Sequence, residues 1–456
     1  MDQILAENKT IMNFLGKPKS SNLPLRFCHY VVTEPVEDGV LLFHTLTREL
    51  LLLSAEEYAK ALENETLRQK WFVVPENTRE KDLAATVRWL YKTKTKEKNG
   101  IFQYIIYTTT DCNARCFYCF ELGRKRIPMS DETALKAAQF IIDHHQNHTV
   151  HINWFGGEPL YNTRAMDIIC EKLREAGIKY VTRTTSNGYL MNEENARKCV
   201  ELWNLKRVQI SMDGTEKVYN KAKHYIYKEG NPYQIVMDNI QRLLNHGVRV
   251  LVRVNLDFHN IEDLHLFTEE LAQRFGADRR FSMYAHLIID EKKPWYEHHS
   301  PEEWSTLYDE LARLHQKMID LGIFGGRNAR ISNELPLNHC MAESPNNVVI
   351  APDGGLGVCE HYSETELFGH LDSDERDQSV IDSFRERWED IPECDTCFNY
   401  PQCNRVKKCP YLFTCIEARR NDRLWIAKFL MRNEYRFWCD QNLAEDDLPE
   451  LEANEL

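Results

Sequence analysis

Residues 109–121, TTDCNARCFYCFE, hold three cysteines in a C-x3-C-x2-C spacing: Cys112, Cys116 and Cys119. Thiols this close in sequence can share one inorganic centre. A zinc site more often uses paired C-x2-C units and a fourth ligand, and no fourth cysteine or histidine follows closely. Three thiolates suit a 4Fe–4S cluster in which one iron keeps an open position for a substrate or cofactor. Zinc, or a plain structural role, is the reading that the loop by itself leaves open.

The remaining cysteines sharpen this. The chain has 14 in 456 residues. Cys28, Cys170 and Cys199 stand alone and read as small core residues. The others fall between 340 and 439: Cys340-x13-Gly354-x4-Cys359, then Cys394, Cys397, Cys403, Cys409 and Cys415, with Cys439 last. The start, MDQILAENKT, has early acids and no apolar run, so no secretory signal is expected. No stretch reaches membrane-span length; LLLL at Leu50–Leu53 is closely bounded by charges. The chain reads as cytosolic, where grouped cysteines are metal ligands more often than disulfides. A net charge of −13 argues against nucleic acid or an anionic membrane as partner.

A strand must deliver the cysteine loop, and the text around it alternates. QYIIYTTT, VHINWFG, YVTRTTSNG, RVQISMDG, RVLVRVNLD and RFSMYAHLI are strand-like, with amphipathic segments such as SDETALKAAQFIIDHHQ and PYQIVMDNIQRLLNHG between them. Six such β/α units over residues 99–300 demand a parallel sheet. They predict an α/β fold, a partial (β/α)6 TIM-like barrel, with functional residues at the C-terminal strand ends. Residues 1–98 read as a small α+β unit. Its first 25 residues are polar, with GKPKSSNLP as a linker, and its one clear helix opens on a capping box, Ser54 to Glu57. A bridging helix is expected in 301–330. Residues 331–440 read as a cysteine-rich, loop-rich domain that depends on metal to fold and ends in a closing helix. Residues 441–456 read as a disordered acidic tail.

The cysteine loop resembles the signature of the radical S-adenosylmethionine (radical SAM) enzymes. The resemblance implies that Cys112, Cys116 and Cys119 hold a 4Fe–4S cluster whose open iron binds the amino and carboxylate groups of SAM. Reductive cleavage would then yield a 5′-deoxyadenosyl radical that abstracts hydrogen from a substrate. Tyr118 would pack by the adenine. WFGGEP, ending the second barrel strand, is similar to the family's GGEP motif and so assigns Gly156, Gly157 and Glu158 to the SAM site, the glycines at the methionine amino group. Ser186 and Asn187 of TSNG, Ser211 of SMDG and Arg253 are further cofactor-binding candidates on the same ground. A helix cap or turn contact is the other reading of the two serines. Related proteins often have an Arg after the DG turn, where this chain has Lys221 and Lys223, which leaves the carboxylate partner open.

The second cysteine group resembles the SPASM extension of radical SAM peptide-modifying enzymes, except that five residues rather than three precede Cys409. The resemblance implies two auxiliary 4Fe–4S clusters, making three in all. Cys340, Cys359 and Cys409 would hold one; Cys394, Cys397, Cys403 and Cys415 the other. Cys439 is a spare ligand or a buried thiol. A zinc ribbon built on Cys394 and Cys397 is the rival. Such enzymes act mostly on peptides or proteins. The expectation is therefore a maturase that forms a thioether or carbon–carbon crosslink in a ribosomally made precursor peptide. The N-terminal unit would hold the leader against a sheet edge, and a low-potential donor such as flavodoxin or ferredoxin would supply electrons. Formylglycine formation in sulfatases is the alternative, with Glu360, next to Cys359, as the base. A non-catalytic iron–sulfur or zinc protein would have no use for GGEP.

Overall fold

The computed structural model describes residues 3–18, 23–95, 99–227, 229–288, 298–325, 330–332, 335, 340–362, 364–403, 405–409 and 415–446. The end of the expected acidic tail, 447–456, lies outside the described residues. Among those described, no helix is long and apolar enough to cross a membrane.

The N-terminal unit is built from β1 (Gln3–Ala6), β2 (Leu25–Phe27), β3 (Val31–Val36), β4 (Gly39–His44), β5 (Leu50–Leu53) and β6 (Val73–Pro75). An antiparallel sheet runs β1-β5-β4-β3, beside a β2-β6 pair. The LLLL run is β5, and its unbroken hydrophobicity has a simple cause. Leu50 and Leu52 pack with Ala427 and Met431 of the closing helix, Leu51 and Leu53 with Leu67 and Phe72 on the other face. A strand covered on both sides has no position for a polar residue; each buried leucine contributes about 1.5–3 kcal/mol. The Ser54–Glu57 capping box closes as expected, with bonds of 2.9 and 3.2 Å. The polar first 25 residues hold two elements ahead of the GKPKSSNLP segment: β1 pairs with β5, and Lys9–Leu15 is a helix capped by Asn8. Ile11, fully buried against Val74, Ala84 and Val87, anchors it. Of the helix's four apolar residues only Ile11 is buried, and seven residues are too few to display a helical period.

The barrel strands are β7 (Gln103–Thr109), β8 (Val150–Gly156), β9 (Tyr180–Ser186), β10 (Leu205–Met212), β11 (Arg249–Leu256) and β12 (Phe281–Leu287). They run parallel in sequence order. In β11, Val250, Val252 and Val254 are buried in the core, while Arg249, Leu251 and Arg253 alternate with them on the opposite face. A closed barrel fills its lumen with branched apolar side chains. This one presents charged and polar residues there, as fits a lumen that holds a ligand.

Three short strands in the cysteine-rich stretch complete the sheet: β13 (Asn347–Ile350), β14 (Gly355–Gly357) and β15 (Leu367–His370). β13 pairs parallel to β7, with Asn347 beside Gln103 and Ile350 beside Ile106; β14 and β15 follow antiparallel. The sequence shows little periodicity here because these strands are three or four residues long, too short to display a period of two. Their placement sets Cys340 and Cys359, which flank β13 and β14, next to the strand that carries the first cysteine loop.

Candidate active site

The loop after β7 is closed at its neck by Thr110. Its amide donates to Ile127 O (3.0 Å), its hydroxyl to Lys125 O (2.6 Å), and it accepts from Ile127 N (2.8 Å). Within the loop Cys112, Cys116 and Cys119 lie near enough to feel one another's charge. Burial pushes the thiols of Cys112 and Cys119 up to about 12 and about 11, and raises Cys116 against the pull of Lys223. Iron would have to displace those protons. No three His, Cys, Asp or Glu side chains among the described residues converge as they would on one metal ion. Three thiols on one loop would suit a 4Fe–4S cluster that keeps one iron open.

The ends of the next strands lock the loop. Gly156 (φ +122°) and Gly157 pass so close beneath it that an added Cβ would sit 2.1 Å from Thr109 O and 2.4 Å from Asp111 O. Gly157 N donates to Thr109 O (3.1 Å) and Glu158 N to Asp111 O (2.9 Å). Both glycines are thus required by the protein's own backbone, whatever else approaches them. Glu158 is fully buried and takes bonds from Leu160 N (3.1 Å), Ser186 Oγ (2.9 Å) and Asn187 N (2.8 Å). Ser186 also accepts from Gly188 N, and the Asn187 side chain donates to Asn113 Oδ1 (2.6 Å) and lies 3.8 Å from Cys112 Sγ. Geometry therefore commits Ser186 to the Glu158 carboxylate, and sets Asn187 against Cys112.

Burial raises Glu158 to about 7, against the pull of its three hydrogen-bond donors. An unfolded Glu titrates near 4.5, so between about pH 4.5 and 7 the folded chain holds a proton that the unfolded chain has lost. This stabilisation is complete below the unfolded value and is lost as pH rises through about 7. It amounts to about 3 kcal/mol at 1.36 kcal/mol per unit. Urea titrations of the apo protein at pH 5 and 7.5 should show it, and E158Q should lack this slope. An unchanged slope in E158Q would assign the pH dependence elsewhere.

Sequence reasoning named Lys221 and Lys223 without choosing; the fold chooses. Lys221 is exposed, whereas the Lys223 side chain is 2% exposed, as is that of Asp213, 3.2 Å away. Lys223 Nζ donates to Tyr118 Oη (2.8 Å) and Ser211 Oγ (3.1 Å). Tyr118 Oη donates to Asp213 Oδ2 (2.7 Å), and Asn255 Nδ2 to Asp213 Oδ1 (2.8 Å). Burial alone would deprotonate Lys223, but Asp213, Tyr118 and Cys116 outweigh it and hold it charged. Lys223 O also accepts from Arg115 N (2.9 Å), inside the cysteine loop. Asp213 stands in the SMDG motif, but nothing in the sequence marks it or Asn255 as a partner of a lysine ten residues on. Arg253, in register beside Ser211, turns to His286 instead, 3.1 Å from its Nδ1.

Cys340, Cys359, Cys394, Cys397, Cys403, Cys409 and Cys415 all line one cavity of about 1600 Å³, which continues into the barrel lumen past His151, Asn153 and Arg183. They fall into two neighbourhoods. Cys359 feels Cys340 and Cys409; Cys397 feels Cys394 and Cys415, and Cys403 feels Cys397 and Cys415. Cys439 instead sits on the closing helix Glu417–Asp446, beside Tyr435. Glu360 also lines the cavity; its carbonyl takes the Tyr107 hydroxyl (2.6 Å), and the adjoining His361 carbonyl takes Arg124 of the first loop (2.8 Å). The two cysteine regions are thus joined through residues 360–361.

A partial barrel with a three-cysteine loop on its first strand and GGEP on its second defines a radical SAM domain. Residues 106–271 match the sequence model of the Radical SAM superfamily, so the chain carries a radical SAM domain. None of the curated proteins matches its sequence. Among solved structures, anSMEcpe with bound AdoMet is similar over 75% of this chain and 99% of its own, at 17% identity and a TM-score of 0.53. anSMEcpe with bound AdoMet and Kp18Cys peptide is similar over 73% and 98%, at 14% identity and a TM-score of 0.55. Streptococcus suis SuiB bound to precursor peptide SuiA is similar over 84% and 95%, at 12% identity and a TM-score of 0.50. At such identities the likeness is one of fold, and it extends well beyond the barrel.

Proposed function

We propose that the chain is a peptide maturase that uses SAM-derived radical chemistry to crosslink a ribosomally made precursor. The observation that carries the reading is the cavity that joins the barrel lumen to seven of the eight C-terminal cysteines. Its volume of about 1600 Å³ exceeds the ~300–1,000 Å³ usual for small-molecule sites and suits a length of peptide. Two structures of similar fold hold a peptide. In this reading Cys340, Cys359 and Cys409 hold one auxiliary cluster and Cys394, Cys397, Cys403 and Cys415 the other, each set being the neighbours just described. SAM and the first cluster, when bound, supply a carbon radical that removes hydrogen from substrate. In the alternative reading, formylglycine formation, Glu360 beside Cys359 would take the proton. Electrons come from a flavodoxin- or ferredoxin-like donor. The N-terminal sheet, with β3 at one edge, offers a place for a leader segment to add as a strand.

Reconstituted enzyme should hold about twelve irons, four for each of three clusters. C394S/C397S should lose about four of them. It should still cleave SAM to 5′-deoxyadenosine, because the first cluster is ligated from the barrel, and it should yield no crosslinked peptide by mass spectrometry. Stoichiometric zinc at these cysteines, with about four irons in all, would replace the auxiliary clusters by a zinc module.

A further inference from the structure

A row of three arginines crosses the barrel lumen. Arg183 of β9 lies in register with Arg207 of β10, and Arg207 with Arg249 of β11. Neighbouring strands stand about 4.8 Å apart, so the three side chains leave the sheet side by side. Val208 and Val250, next in the chain, are buried on the opposite face. All three arginines line the large cavity, with Asn153 of β8 in register beside Arg183.

Like charges directly opposite each other on a sheet are destabilising. A chain of net charge −13 has acids enough to neutralise such a row. Yet none of the three side chains makes an ion pair or hydrogen bond among the described residues. Arg207 acts against Arg183, and the carboxylate that opposes it, Glu360, is too far for a salt bridge. The cations at the cavity's other end differ. Arg420 lies 3.5 Å from Cys415 Sγ, and Arg419 feels Cys403 and Cys409, so ligand thiolates answer their charge. Among the described residues the strand-borne row has no such partner, only Glu360 acting on Arg183 from beyond salt-bridge distance.

We propose that Arg183, Arg207 and Arg249 form a carboxylate-binding subsite that draws an acidic segment of the substrate peptide into the lumen. The proposal rests on the peptide-modifying reading above and adds the chemistry of the substrate. Guanidinium groups bind carboxylates with two parallel bonds, and a solvent-accessible row of one sign on a cavity wall concentrates the opposite charge. The row then favours aspartate- or glutamate-rich sequence over neutral or basic sequence, and added salt weakens the preference.

The test uses reconstituted holoenzyme and fluorescein-labelled dodecapeptides alternating Gly with Glu, Gln or Lys, followed by anisotropy. The Glu peptide should bind at least about tenfold more tightly than the Gln peptide, the scale of a charge-assisted bond or two, and the Lys peptide least. R183Q/R207Q/R249Q should reduce that preference to about twofold with iron content unchanged; R207Q alone, the milder change, should reduce it at least threefold. Glutarate at equal carboxylate concentration should not displace the Glu peptide. No preference in the wild type, or a preference that survives the triple change, overturns the proposal. Lost iron or a shifted cluster potential with the preference intact assigns the row to the clusters instead, and also overturns it. Displacement by glutarate leaves an anion site but removes the peptide segment, and counts against the maturase reading too. Failure of that reading alone shows separately, as absence of any modified peptide from an enzyme that still prefers Glu.

Discussion

Replacing Cys112, Cys116 and Cys119 together with Ala should take 5′-deoxyadenosine formation to background. The enzyme, reconstituted and reduced without oxygen, should lose about four irons of about twelve and keep the rest. Sequence spacing, loop closure and neighbouring strands all converge on these thiols. Thr110 ties the neck of the loop, Asn113 and Asn187 join it to β9, and Arg115 joins it to Lys223. Because the apo thiols of Cys112 and Cys119 are raised to about 12 and 11 by burial, cluster assembly must release protons. Assembly should therefore slow as pH falls, and a pH indicator should register the release. Undiminished SAM cleavage in the triple variant would remove the loop from the chemistry.

Lys223→Met should destabilise the barrel strongly. It deletes one charge of a pair whose members are each 2% exposed and leaves Asp213 buried without its cation. Breaking such a pair costs about 3–5 kcal/mol, most of it the penalty on the charge left behind. Asn255 and Tyr118 still donate to Asp213, so its position holds while its charge does not. D213N/K223M should recover much of the loss, since two neutral groups remain. Hydrogen exchange of the β10 and β11 amides reads the effect locally. Equal protection in K223M and the native enzyme would show that the pair contributes little. Loss of SAM affinity in both variants, alongside recovered stability in the double one, would give Lys223 a role toward the cofactor beyond folding.

The barrel was legible because parallel strands packed under helices need apolar residues at every second position, and helices need them every third or fourth. Both periods show in the text from Gln103 to Leu287. The closeness of Cys112, Cys116 and Cys119 was legible because all three thiols sit on one short segment, so spacing alone fixes their proximity. By the same logic β13–β15 were not, being too short for a period, and neither was the N-terminal helix, which Ile11 alone anchors deeply. Only the fold could select Lys223 over Lys221: both follow the DG turn, and helix phase together with the turn at His224 decides which one is buried against Asp213. Only the fold could spend Ser186 on Glu158, because the two motifs meet where adjacent strand ends converge, 28 residues apart. And only strand register could line up Arg183, Arg207 and Arg249. Each is an ordinary surface-type residue in its own strand. Side-by-side charge exists only once three segments distant in the chain are hydrogen-bonded into one sheet.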